Sequence, residues 1–311
     1  MRFQAIMLKT MGDLFSVRRT VLFLAAVLLF PLIGGGAYSS AAGTGDLTLA
    51  MQNQMVIMFF LLMSFIWIAG IPAVLMAGVT CGDFISKEEQ DGTLLFLISK
   101  PVRRSEIVLG KFAGFLANAV LMQFAAIVTS VLLIGLSVGA DVFVIETMAS
   151  LIPALFAYSV FVSFIFGALS TALSSLFRSR IKTIMTVVGV TVLIFFGFMV
   201  FRGWLSAAGI YEEYGLNYAD VNYHLGNSFL FFVEASGFRI SPIFQGVMGQ
   251  FTGTFDAVDM SRLYDRDIGA LPPSLPPVAT CTPLVSVLVW TGIALLLLAL
   301  GILRFERKEI R

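Results

Sequence analysis

Residues 88–111 read EEQDGTLLFLISKPVRRSEIVLGK. Eight of these twenty-four residues are charged, yet the segments on either side are almost wholly apolar. The chain as a whole is 58% apolar and 13% charged, with a mean hydropathy of +0.94. Soluble chains run to about half apolar and about a quarter charged. A water-soluble fold of 311 residues has no interior large enough for so much apolar surface, so the composition predicts an integral membrane protein. The charged stretch must then lie outside the bilayer, because each charge moved to its centre costs about 2.5–3.5 kcal/mol.

A spanning helix needs about 20 mostly apolar residues to cross a hydrocarbon core about 30 Å thick. Six stretches qualify, roughly 20–38, 55–81, 112–138, 150–177, 184–201 and 283–303, and none has Asp, Glu, Lys, Arg or His in its core. The expected fold is all-α, with six transmembrane helices in a single transmembrane domain over 1–311. Basic residues set the orientation. Sixteen of the twenty lie in the N-terminal segment, the loop between spans two and three, the turn after span four and the C-terminal tail. The loops 39–54 and 139–149 have none, and the long loop 202–282 has four. Both termini are therefore expected in the cytoplasm, with the protein multi-pass in the cell membrane.

Outward from the charged stretch, the spacing predicts a short helix starting near Lys87. Glu88, Glu89 and Asp91 fall in its first turn, where a helix dipole favours anions, and Leu94, Leu95, Leu97 and Ile98 form one apolar side. Pro101 restricts Lys100 and should end this helix by Ser99. Ser105 is the expected N-cap of a second helix, with Glu106 as its first-turn acid. That helix carries Gly110 and Gly114, spaced for close helix approach, and runs into the third span. Two readings of this projecting element stay open: a solvated loop, or a docking surface for another protein.

The same residues resemble the signature of the type-2 ATP-binding-cassette exporter permeases. An acidic pair (Glu88, Glu89) is followed by Gly92-Thr93-Leu94, an apolar helix that includes Leu97, Pro101-Val102, Arg104, Glu106 and Gly110-Lys111. Gln90-Asp91 stands between the acids and Gly92, where the family often has a single residue. The six-span layout extends the resemblance over most of the chain. It implies that the first short helix is a coupling helix within 82–111, fitting a cleft on a separate ATPase subunit. It also implies that ATP and magnesium are held by that partner, and that a second permease copy or a homologue completes the pair. No nucleic-acid partner is expected. The function implied is ATP-driven outward movement of a substrate. The alternative is a mechanotransmitting membrane subunit that acts on an external protein, for example in metalloenzyme maturation, without moving a solute.

What the chain lacks points the same way. No G-x-x-x-x-G-K-[ST] occurs, so ATP hydrolysis is assigned elsewhere. No nucleophile–base or paired-carboxylate spacing is present, so no catalytic residue is assigned. The spans hold only neutral polar residues (Asn118, Gln123, Ser159, Ser163, Ser170, Thr171, Ser174), whereas ion-coupled carriers keep ionisable groups inside the bundle. Gly167, Thr171 and Ser175 share one face of span four and favour close packing. Met51, Met55 and Met58 line one helix face as soft donors, but no cysteine or second histidine joins them, and no metal site is assigned. Cys81 and Cys281 fall on opposite sides of the membrane and should not pair. His224, the single histidine, reads as a surface residue of the external loop.

At the N-terminus, residues 1–19 read as an interfacial helix, with Phe3, Ile6, Met7, Met11 and Leu14 on one face. A frayed polar tail and a cleaved signal peptide are the competing readings, though no clean A-x-A site follows for the second. The loop 202–282 is too long and too aromatic for a plain connection. It is expected to fold as a cap of short helices on the outer face, or to re-enter the bundle.

Overall fold

The computed structural model describes residues 2–42, 48–92, 102–255, 278 and 280–308, with only the backbone described at 2 and 36–42. The described residues are helical, without strands, and include six helices long and apolar enough to cross a membrane. Thr93, Leu94, Leu97 and Pro101, and with them the proposed coupling helix, lie outside the described residues.

Helix α1 (Arg2–Leu14) precedes α2 (Val17–Ala42), the first span. The second span is broken. It consists of α3 (Leu49–Met63), a π turn (Ser64–Ile68) and α4 (Ile71–Gln90). The break has a local cause. Pro72 has no N–H to continue the ladder, and Ala69 N–H reaches back five residues to Ser64 O at 2.9 Å. A Cβ at Gly70 would fall on the carbonyl oxygens of Phe65 and Ile66, so only glycine fits the corner. Trp67, within the π turn, donates from Nε1 to Ala26 O of α2 at 3.1 Å.

The third span, α5 (Arg104–Val138), has 35 residues. At about 1.5 Å per residue it is about 52 Å long, so it projects well beyond the bilayer. Asp141 then caps α6 (Val142–Ser150), accepting from Phe143 N–H at 3.3 Å. The stretch 139–149, expected as a loop, is thus mostly helix. The fourth span, α7 (Ile152–Leu176), sits at the centre, with 61% of its apolar window buried against 11% for the first span. Its small residues let neighbours close in. A Cβ at Gly167 would meet the Phe115 ring, and Gly301 of the last span meets the Ala172 backbone. Ser174 donates to Gly82 O of α4 at 2.8 Å. The expectation of a close-packing face on span four is met.

The fifth span runs from α8 (Arg180–Val192) through a π turn (Leu193–Gly197) into α9 (Phe198–Ala207). The last is α13 (Pro283–Glu306). Between them lie α10 (Ile210–Glu213), α11 (Val221–Ala235) and α12 (Pro242–Thr252). Helix α11 does not rest on the outside. It is buried on most sides, and its Phe229 packs against Tyr158 (ring centroids 5.0 Å) and Phe65 (5.4 Å) in the bundle core. Of the two placements expected for this segment, re-entry describes α11.

Helix α1 packs along α5 rather than lying free. Ile6 and Phe3 cover Gly110, and Met7 and Thr10 cover Gly114. The glycine pair flagged in the sequence is therefore the seat of the N-terminal helix. Phe3 and Leu8 remain exposed on α1, as does Phe15 just after it.

Candidate functional site

The ends of α4, α5, α7 and α13 meet at the basic end of the bundle. Helix α4 continues past Lys87 without interruption, since no breaker stands before Gly92, whose φ is +69°. Glu88 and Glu89 consequently occupy the last turn of α4, not the first turn of a new helix. This corrects the sequence expectation, and it reverses the dipole argument: anions are disfavoured at a helix C-terminus. The structure compensates each with a cation from a distant helix.

Lys111 of α5 forms an ion pair with Glu88 and donates to Phe84 O at 2.9 Å, tying the end of α4 to α5. Lys308, just past α13, reaches Glu89 Oε2 at 2.5 Å and Ser175 O of α7 at 3.3 Å. Arg178 approaches the other oxygen of Glu89 at 3.5 Å. Arg180, opening α8, lies 2.7 Å from Asp83, with its Nε–H not aligned on the carboxylate oxygen.

Arg104 has a different task. Its Nη1 donates to the carbonyls of Phe305 (3.0 Å), Glu306 (3.0 Å) and Lys308 (2.8 Å). These carbonyls lie at and just past the C-terminus of α13, where a cation also meets the favourable end of the dipole. The guanidinium lies 5.7 Å from the Phe305 ring centroid. Glu106 accepts from Arg103 N–H at 3.2 Å, so Arg103 is the N-cap of α5. Ser105, expected there, lies one residue inside the helix.

Of the ten residues singled out in the sequence, Glu88, Glu89, Arg104 and Lys111 are thus drawn into one polar junction. Glu106 caps α5 and Gly92 ends the described part of the segment. Sequence reasoning missed Lys308, Phe305 and Arg178. The basic tail was read for orientation alone, and nothing local pairs a residue at 308 with one at 89.

The opposite end holds a second polar centre. Arg202 and Asp220 are both buried. Arg202 Nε and Nη2 donate to Asp220 Oδ2 at 2.9 and 2.5 Å, and Nη1 donates to Phe251 O at 3.0 Å. Tyr211 donates to the same carboxylate oxygen at 2.8 Å. Burial, then the Asp220 charge, raises the Tyr211 phenol above its ordinary range. These contacts clamp α9, α10, α11 and α12 together. His224, expected at the surface, is buried on α11 between Ser286 Oγ (3.0 Å) and Tyr218 O (3.1 Å). Its two ring nitrogens are both used, which leaves it a packing role. Cys81 and Cys281 are free. Among the described residues no cluster of three or more His, Cys, Asp or Glu could hold a metal ion.

A helical membrane bundle with this junction at its charged end matches one family model along nearly its full length. Residues 6–310 match the model of the ABC-2 family transporter proteins. The chain belongs to that family. Among curated proteins, the probable ABC transporter permease protein NosY of Stutzerimonas stutzeri is 34% identical to it over 122 residues. That match covers 37% of this chain and 42% of NosY, so it spans less than half of either protein. This ABC-2 chain is a multi-pass membrane subunit of the permease type.

Proposed function

We propose that this subunit is the membrane-spanning half of an ATP-driven exporter, worked by a separate ATPase chain that carries ATP and magnesium. The observation that carries the reading is the junction at the basic end. A push on residues 93–101 would be delivered to α4 through Glu88 and Glu89, to α5 through Lys111, and to α13 through Lys308 and Arg104. Thr93, Leu94, Leu97 and Pro101 would make the ATPase contact. Glu88, Glu89, Gly92, Arg104, Glu106 and Lys111 would hold that contact to the spans. In this reading the basic end and both termini face the cytoplasm, and two permease chains pair with two ATPases.

A second reading has one observation in its favour. Helix α11 joins the opposite end of the molecule to the bundle core through Phe229, Phe65 and Tyr158. Movement of the spans would therefore move the cap, as a mechanical transmitter acting on an outer protein requires. Reconstitution separates the two. Vesicles containing only this chain and its ATPase should show substrate-responsive ATP hydrolysis if the protein exports. A transmitter responds only after the outer protein is added. Hydrolysis indifferent to both would overturn the exporter and the transmitter together.

A further inference from the structure

A cavity of about 660 Å³ opens among α1, the start of α2, α4 and α5. Ligand pockets of about 300–1,000 Å³ are the usual size for small molecules. Its two ends differ in chemistry. Lys9, Asp13, Arg19, Lys87 and Asp91 line one end. Phe23, Met76, Val79, Asn118 and Met122 line the other. On α4 the distance from Lys87 to Met76 is eleven residues, and on α5 so is that from Lys111 to Met122, about 16 Å of helix in each case. Both walls thus pass from charge to hydrocarbon over the same depth. That gradient matches the one a lipid meets between headgroup and acyl chain.

The charged end is not used up internally. Lys111 and Arg180 are engaged by Glu88 and Asp83. The side chains of Lys9, Asp13, Lys87 and Asp91 make no hydrogen bond or ion pair among the described residues. Both signs are therefore on offer at the mouth. Deeper in, Asn118 is 5% exposed, and its Oδ1 has no hydrogen-bond partner. A buried, unpaired amide oxygen is costly, and the same side chain carries two N–H donors that a ligand in the cavity can use.

We propose that this cavity binds one phospholipid with a zwitterionic, amine-bearing headgroup. The phosphate meets Lys9, Arg19 and Lys87, and the ammonium meets Asp13 and Asp91. One acyl chain follows Phe23, Met76, Val79 and Met122, and the amide of Asn118 donates to an ester carbonyl. The site is formed within a single chain, and it stands whether the protein exports or transmits.

Native mass spectrometry of the detergent-purified chain tests this, with phosphatidylethanolamine, phosphatidylglycerol and glycerophosphoethanolamine added in parallel. One phosphatidylethanolamine per chain should remain bound in preference to phosphatidylglycerol, and the acyl-free headgroup should not bind. Lys9→Gln and Lys87→Gln should each weaken binding about fivefold, the contribution of one basic residue at a lipid surface. Met76→Trp should abolish it by filling the apolar wall, while Leu288→Trp, on an exposed face of α13, should not. Should Met76→Trp fail to fold, the Lys9→Gln/Lys87→Gln double variant, with about a 25-fold loss, decides the matter. Equal retention by wild type and cavity variants, equal binding of the two lipids, or binding of the headgroup alone would each overturn the proposal.

Discussion

Glu89 is the residue whose surroundings say most about the charged stretch. It sits at the unfavourable end of the α4 dipole and is held there by Lys308 at 2.5 Å. Lys308→Glu removes the cation and adds a like charge, so thermal unfolding in detergent should show a loss on the order of 1–3 kcal/mol, the cost of stranding a partly buried polar group. Combining it with Glu89→Lys should recover most of that loss. If the double swap is no better than the single change, the two side chains do not act on each other. This pairing was not legible in the sequence. The acids were visible, and so was the basic tail, but the residues are 219 apart and only the packing of α13 on α7 brings them together. Arg202 was obscured in another way. Counted as a loop charge at the edge of an apolar run, it is instead the buried hub of the cap.

At the scale of elements, the apolar runs predicted the six spans well, because length and hydropathy alone decide which helices can cross. Their ends were less legible. Helix α4 runs to Gln90 because Lys87–Gln90 are good helix formers, and α5 starts at Arg104 because Glu106 caps it. The break inside span two was written in Gly70-Ile71-Pro72, a signal hidden by the hydropathy around it. The glycine pair of α5 was read correctly as a close contact, though not with which helix. Gly114→Leu should expel α1 from α5, since a Cβ there already lies 2.7 Å from Met7 O. Limited proteolysis should then cut between residues 2 and 16 at least tenfold faster than in the wild type, with the spans intact. An unchanged cleavage rate would mean that α1 is not seated on these glycines.

For the whole molecule, the distribution of basic residues makes a claim about sidedness. Sixteen of twenty Lys and Arg lie in segments assigned to one side. In a background with Cys81 and Cys281 replaced, a membrane-impermeant thiol reagent applied from outside should label Asp46→Cys and Met260→Cys. It should leave Lys100→Cys and Arg307→Cys untouched until the membrane is permeabilised. Labelling of Lys100→Cys from outside would invert the topology and with it the direction of the proposed export.

In the proposed function an ATPase drives this bundle through residues 93–101, and the junction of α4, α5 and α13 carries the movement to the spans. The direct measurement is ATP hydrolysis and co-purification of the partner ATPase with a Leu94→Asp/Leu97→Asp variant, which changes two apolar residues of the segment and none of the junction residues. The expected result is an inserted, folded permease that no longer retains the ATPase, with hydrolysis falling to the rate of the ATPase alone. Undiminished co-purification together with wild-type hydrolysis would contradict it.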